Sequence, residues 1–137
     1  MALADVIDQY VTAFGAMTGI TRCYSDPPES IQEFPAAIVY AKSGTINMGG
    51  GGLVEELHTI ILEIHHERQM LELAVDAAKV WPRRVTTALY NGGTFGGYVT
   101  AVVWPIYYDA LAVTYGSAQD IHYVMQFRIT TKVLATL

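Results

Sequence analysis

Three side chains with metal-binding chemistry stand at alternate positions of the sequence: Glu63, His65 and Glu67. In a β-strand, residues two apart point to the same face, so this spacing would place two carboxylates beside an imidazole. Carboxylate oxygens and imidazole nitrogens both bind divalent cations. One hypothesis for the chain is therefore a small metal-dependent enzyme or ligand-binding α+β domain that uses these three residues.

The other histidines do not complete such a site. His58 and His66 point to the opposite face of the same predicted strand, and His122 belongs to a different strand. A solvated polar face at the end of a strand explains the trio better. We therefore predict neither a bound metal nor a cofactor.

Four consecutive glycines, Gly49, Gly50, Gly51 and Gly52, raise the question of a phosphate-binding loop. A P-loop ends in Lys followed by Ser or Thr at the start of a helix. Here two glutamates and a strand follow the glycines, and the glutamates would repel phosphate. We predict instead a flexible loop or hairpin tip that takes part in assembly.

Few other side chains offer chemistry. Lys79, Arg83 and Arg84 could contact phosphate or an acidic partner, with a solvated helix face as the alternative. Cys23 is the single cysteine, so no internal disulfide can form, and its one basic neighbour, Arg22, is weak support for a reactive thiol. No Gly-x-Ser-x-Gly motif is present. We predict that the chain is not an enzyme.

The composition is typical of a subunit of an assembly. Apolar residues make up 52% of the chain and charged residues 15%, whereas about 25% of the residues in soluble domains are charged. A large core would explain this shortage, but a small domain that lives alone needs polar cover, which favours contact with partners. The net charge of −5 argues against a protein that grips nucleic-acid phosphates, yet it suits a lumen through which DNA passes.

The sequence also gives expectations about location and exposed anchors. It has neither a signal-peptide pattern nor an apolar run long enough for a membrane-spanning helix, which predicts assembly in the cytoplasm and no membrane segment. Trp81, Trp104, Tyr107 and Tyr108 are mostly core candidates. Any of them that is exposed would be a natural anchor for contact with another subunit.

Hydrophobic periodicity predicts a single α+β domain over residues 1–137. Spacings of three and four predict helices at residues 3–14 and 70–90, where Pro82 either kinks the second helix or begins another one. Alternation predicts strands at residues 36–41, 55–68, 98–115 with an interruption at Pro105, and 121–133. We expect one mostly antiparallel sheet of about four strands with two helices packed on one face, in the order α-β-β-α-β-β.

This order of elements resembles the tail terminator and neck (head–tail joining) proteins of long-tailed bacteriophages. The resemblance covers the N-terminal helix, a first strand at residues 34–40 (FPAAIVY) and a long second strand at residues 55–67. It continues with the helix at residues 70–90 and a closing segment at residues 108–115 (YDALAVTY) with 123–131.

The resemblance implies a structural subunit that closes with copies of itself into a ring, commonly a hexamer. Such a ring ends the tail tube of the virion and offers a surface for joining the head, so the implied partners are the tube protein and the neck or connector proteins. DNA would pass through the lumen without specific binding, and assembly would take place in the host cytoplasm. The implied contact residues are Asp26, Pro27, Pro28 and Glu29 in one loop, and Ile46, Asn47, Met48, Gly49, Gly50, Gly51 and Gly52 in another.

Overall fold

The described part of the chain folds into three α-helices and one β-sheet. The structure, a computed structural model, describes residues 3–68, 71–117 and 119–137. In chain order the elements are α1 (Leu3–Gly15), β1 (Arg22–Tyr24), β2 (Ala36–Met48), β3 (Leu53–Glu67), α2 (Leu71–Ala78), α3 (Trp81–Gly92), β4 (Ala101–Tyr115) and β5 (Asp120–Thr136). A short 3-10 turn at Gly50–Gly52 joins β2 to β3. The α+β class is as predicted.

The sheet contains five strands in the order β1-β2-β3-β5-β4. Four of them pair antiparallel, and β1 runs parallel to the first residues of β2, with Arg22 opposite Ala36. The prediction of about four strands missed β1, because a strand of three residues inside a polar, proline-containing loop is too short to show alternation. The element order is therefore α-β-β-β-α-α-β-β and not α-β-β-α-β-β.

The main core lies between one face of the sheet and the helices α1 and α3, and we call this the helix face. Tyr10, Phe14 and Trp81 are buried against the even-numbered residues of β3 and the odd-numbered residues of β5. The Tyr10 hydroxyl and the Thr131 hydroxyl are 2.6 Å apart, so this buried polar group has a hydrogen-bond partner. Burial raises the pKa of Tyr10 to about 12, which keeps the phenol neutral.

The predicted helix over residues 70–90 is two helices. Of the two alternatives for Pro82, the structure has the second: α2 ends at Ala78, and a new helix begins at Trp81 with Pro82 in its first turn. The missing N–H of proline costs no hydrogen bond there. Met70, the first residue of the predicted helix, lies outside the described residues.

The hairpin of β2 and β3 is longer than predicted, and we call its outer part, residues 41–58, the arm. The strand β2 continues to Met48, so residues 44–48, predicted as loop, are strand, whereas the glycines beyond them form the hairpin tip as predicted. Gly44 reflects close packing of two backbones and not a turn, because a Cβ there would lie 2.6 Å from the backbone oxygen of Leu57. Lys42 is the extra residue at a break in register between Ala41 and Ser43.

The strand β4 begins at Ala101 and continues past Pro105, for which either a bend or an edge position was predicted; the structure has the edge position, because β4 is the last strand of the sheet. Val103 pairs with Thr130 and Tyr107 with Arg128, so residues 104–106 bulge opposite a single residue of β5. Proline cannot donate to a ladder of hydrogen bonds, which explains why the register shifts at this point.

Replacing Gly116 by alanine should lower the free energy of unfolding by about 2 kcal/mol. The residue has a φ of 73°, and a Cβ would collide with the backbone oxygen of Glu29. Urea denaturation would measure the change, with Gly50→Ala as the matched control, because no atom lies within 4 Å of a Cβ at that glycine. Equal losses for the two variants would contradict this prediction. Gly116 begins the predicted turn at residues 116–120, of which Ala118 lies outside the described residues.

Candidate functional site

Residues 25–35 cross the second face of the sheet, which we call the loop face. Ile31 is 5% exposed and packs against Ile38 of β2, and the Tyr115 hydroxyl donates a hydrogen bond to the carbonyl oxygen of Pro28. Part of the loop that was predicted to reach neighbours is thus fastened to its own sheet. Asp26 and Glu29 remain exposed, so their contact with another subunit stays a prediction.

A carboxylate stands at the centre of a polar network on the loop face. Glu63 accepts hydrogen bonds from the Tyr40 hydroxyl at 2.6 Å, from His65 Nε2 at 2.9 Å and from Gln126 Nε2 at 3.0 Å. Burial alone would raise the pKa of Glu63, but the hydrogen bonds from His65, Tyr40 and Gln126 outweigh it and lower that pKa. Glu63 is therefore an ionised acceptor for three donors.

Two buried histidines extend this network. His65 and His122 are 1% and 2% exposed, and their Nδ1 atoms are 3.0 Å apart. Because His65 uses Nε2–H to donate to Glu63, its neutral form accepts at Nδ1 a hydrogen bond from Nδ1–H of His122. The ring of Tyr115 stacks on His122 at 5.1 Å, and Phe34 meets His122 edge-on at 5.0 Å.

The expectation that this strand end is a solvated polar face was wrong for His65. Alternation placed His65 correctly away from the main core, but the loop that covers it comes from residues 25–35, far away in the sequence. His122 lies on a different strand from His65, as predicted, but the two residues are close in space. Glu67 of β3 pairs with His122 of β5, which brings His122 diagonally beside His65.

The proposed metal ligands Glu63, His65 and Glu67 do not form a ligand set. Glu63 and His65 bind each other, and Glu67 lies exposed at the end of β3. Among residues 3–68, 71–117 and 119–137, no group of three His, Cys, Asp or Glu side chains is placed to hold a metal ion. The geometry suits a hydrogen-bonded cluster that fixes one sheet end under its covering loop.

His66 makes a separate contact on the helix face. The indole Nε1–H of Trp81 donates to His66 Nε2 over 2.7 Å, and since an indole can only donate, that imidazole nitrogen carries no proton. Burial, and secondarily the proximity of His65, lowers the pKa of His66. Burial and then His65 also lower the pKa of His122, although Asp120 and Glu67 act in the opposite direction.

Acidification should destabilise the fold through these two histidines. A histidine with a lowered pKa binds its proton more readily in the unfolded chain, whose ordinary value is about 6.5. The contribution of these two histidines to the free energy of unfolding is therefore fully present above about pH 6.5. It decreases as the pH falls below that value, by at most about 1.4 kcal/mol per pH unit for each histidine. Urea midpoints between pH 5 and 8 would measure the slope. His122→Phe keeps a ring beside Tyr115 and should give a shallower slope; an unchanged slope would contradict the assignment to His122.

The basic residues predicted to contact a phosphate or an acidic partner do not act as one patch. Lys79 forms an exposed ion pair with Asp76 at 2.7 Å. Arg84 donates a hydrogen bond through Nη1 to the carbonyl oxygen of Thr18 at 2.7 Å. Its guanidinium thereby connects α3 to the turn that follows α1. Arg83 is exposed on the helix surface, and contact of this region with a partner stays a prediction.

Cys23 lies half-buried in β1, which agrees with an inert thiol and not with a reactive one. Burial raises the pKa of its thiol to about 12. The nucleophilic thiolate is therefore scarce at neutral pH.

The edge strand β4 carries several exposed large apolar side chains. Trp104, Tyr107, Tyr108 and Leu111 are 50%, 61%, 53% and 42% exposed. Three of these are the aromatic residues that the sequence favoured for the core, whereas Trp81 is indeed buried. Periodicity could not separate them, because an edge strand and a buried strand show the same alternation.

The opposite side of the sheet also has a free stretch. Within the described residues, β1 pairs only with the first three residues of β2, at positions 36–38, and leaves the outer edge of the arm unpaired. Ile46 and Met48 on this stretch are 70% and 65% exposed. The contact residues implied for this segment are thus largely accessible. Ile46, Asn47 and Met48 are exposed in the strand β2, and Gly49, Gly50 and Gly51 are exposed at the tip.

Comparison of the sequence with models of known protein families and with curated proteins gave no match. No helix in the described parts of the chain is long and apolar enough to cross a membrane.

Proposed function

We propose that the chain is a structural subunit that closes with copies of itself into a ring at the end of a bacteriophage tail tube. The observation that carries this proposal is the edge strand β4, which is 15 residues long and exposes large apolar side chains at Trp104, Tyr107, Tyr108 and Leu111. A long apolar edge strand promotes pairing with another chain, and monomeric proteins usually blunt it with charges, prolines or bulges, or cover it. Pro105 and the bulge interrupt β4 at residues 104–106, whereas residues 107–115 form a regular edge in which Asp109 is the one charged residue.

Two different free edges allow the subunits to join head to tail in a ring. One is β4, and the other is the outer edge of β2 beyond its contact with β1. Because these edges differ, joining one to the other is a head-to-tail contact, which closes into a ring when the rotation between copies permits.

Strand direction supports the same arrangement. The strands β2, β3, β5 and β4 alternate in direction across the sheet, so β2 and β4 run oppositely. A rotation about a ring axis preserves the up or down sense of each strand when the strands are not perpendicular to that axis. The β2 of one copy would therefore meet the β4 of the next as an antiparallel pair, continuing the pattern of the sheet.

The surface charge is compatible with a tail or neck position. A net charge of −5 would weaken the attraction between the lumen and DNA phosphates, so the polymer could pass without being held. The tail tube protein and the neck or connector proteins of the same virus are the further partners in this proposal, which places the chain in the virion without a catalytic role.

Light scattering after size exclusion, together with negative-stain microscopy, would test the proposal. We expect one discrete oligomer with a central hole, and for a hexamer a mass six times the 15.0 kDa of the chain. Added to polymerising tail tubes of the same virus, the ring should stop their growth. A protein that stays monomeric at high concentration and leaves tube growth unchanged would overturn the proposal.

A further inference from the structure

An apolar groove of about 560 Å³ lies on the helix face, between α3 and the edge strand β4. Pro82 and Val85 line it from α3, Trp104 and Ile106 from the bulge of β4, and Phe127 from β5. No charged residue lines the groove. Because β4 is the last strand of the sheet, the groove lies at the rim of the subunit, where another chain can enter it.

Two apolar side chains of the arm point to the same face of the sheet as this groove. Ile46 pairs with Glu56 and Met48 with Val54, and the even-numbered residues of β3 belong to the helix face. Ile46 and Met48 are among the most exposed large apolar residues of the protein. The fold leaves an apolar pair without cover at one edge and an apolar groove at the other.

We infer that Ile46 and Met48 of one copy enter the groove between α3 and β4 of the next copy, an inference that rests on the proposed ring. When a sheet continues edge to edge around a ring, with its strands tilted to the ring axis, both helix faces stay on the same side. Side chains on one face of adjacent strands then stand about 5 Å apart. Ile46 and Met48 would thus meet Tyr108 and Trp104 rather than the loop face.

The strand register places the arm and the groove at the same end of the sheet. Thr45 pairs with Leu57, Leu57 with Lys132, and Lys132 with Ala101, so these four residues form one row across the sheet. The tip of the arm lies just beyond this row, and the bulge of β4 at residues 104–106 lies a few residues inside it.

Tyr108 pairs with Phe127, so it lies further inside the row than the bulge, and bringing Ile46 opposite Tyr108 requires a stagger of about six residues, or about 20 Å. Strands tilted by about 45° to the ring axis, as in closed sheets, supply a stagger of this size across four strands.

The contact would bury no unpaired charge. Residues 43–48 of the arm carry no charged side chain, and neither does the lining of the groove. Removing two apolar surfaces from water is favourable, whereas an uncompensated charge at either would oppose association. The groove therefore suits an apolar segment such as the arm of a second copy.

Thiol cross-linking of single-cysteine variants would test this inference. In a Cys23→Ala background, one preparation carries Met48→Cys and the other Tyr108→Cys, and both sites are at least half exposed. After mixing and reassembly, a short thiol-specific cross-linker should join one variant to the other. With both cysteines on one chain, it should give a ladder of covalent oligomers.

The outcomes separate the inference from the proposed ring. Rings that form without this cross-link, or that link Met48→Cys only to itself, overturn the arm contact and leave the ring standing. A monomeric protein overturns both. A second measurement compares Met48→Asp with Leu53→Asp, because Leu53 pairs with Thr136 on the opposite face of the same arm. We expect self-association to weaken by about tenfold or more for Met48→Asp and by less than about threefold for Leu53→Asp; equal effects would overturn the inference.

Discussion

Replacing Ala110 and Leu111 of β4 by lysine should abolish assembly at concentrations at which the unmodified protein forms rings. The two residues lie next to each other in the edge strand and point to opposite faces, and both are exposed. Lysine on an edge strand is the usual device that prevents pairing with another chain. Enclosing an unpaired charge in an interface costs several kcal/mol, and about 1.4 kcal/mol corresponds to a tenfold change in affinity, so we expect association to weaken by about 100-fold or more.

The matched control is Leu73→Lys. Leu73 is 63% exposed on α2, a helix that contacts the inner strands β3 and β5, so this variant also exchanges an exposed apolar residue for a lysine. Light scattering over a dilution series should show rings for this variant and monomers for the β4 variant. Both variants should keep the free energy of unfolding of the unmodified chain to within about 0.5 kcal/mol at a concentration at which all are monomeric. Intact rings in the β4 variant would exclude β4 as the subunit contact.

The parts of the fold that alternation or helical spacing governs were predictable from the sequence. The assignment of His58, Ile60, Leu62, Ile64 and His66 to the core face of β3 is confirmed, because residues two apart in a strand share a face. Ile61 and His65 on the other face are buried as well, which alternation alone did not predict. Three residues of β1 carry no such pattern and were missed. Pro82 left two outcomes open, because the residues around a proline do not show whether it begins a helix or kinks one.

The site required knowledge of contacts between distant segments. Nothing near His65 in the sequence indicates that residues 25–35 cover it or that His122 donates to it. The same limit applies to Trp104 and Tyr108: their types favoured the core, and only the position of β4 at the sheet edge exposes them. Order of strands in a sheet is a property of the whole chain, and local periodicity does not contain it.

Replacing Glu63 by alanine should lower the free energy of unfolding at pH 7 by about 3 kcal/mol. The change leaves Tyr40, His65 and Gln126 without their shared acceptor, and a buried donor that loses its partner costs about 1–3 kcal/mol. The loss is greatest at His65, which is 1% exposed and cannot turn to water without moving the loop above it. Urea denaturation at a fixed protomer concentration would measure the difference.

Glu56→Ala is the matched control, because Glu56 also binds the histidine two residues further along β3. Its Oε1 lies 2.7 Å from His58 Nε2, but the pair stands on the arm and Glu56 has no other hydrogen bond described. We expect a loss of about 1 kcal/mol or less for this variant. A similar cost for the two replacements would show that the number of donors and the covering loop are unimportant.

The pH dependence gives an independent criterion for the same network. The pKa of Glu63 is lowered in the folded protein, so its contribution is present above the ordinary carboxyl value of about 4.3 and is lost as the pH falls through the folded value. The difference between the unmodified protein and Glu63→Ala should therefore be largest near pH 7 and shrink below about pH 4. Glu56→Ala should show a small difference throughout. A Glu63→Ala difference that stays constant down to pH 3 would mean that Glu63 acts through packing and not as an ionised acceptor.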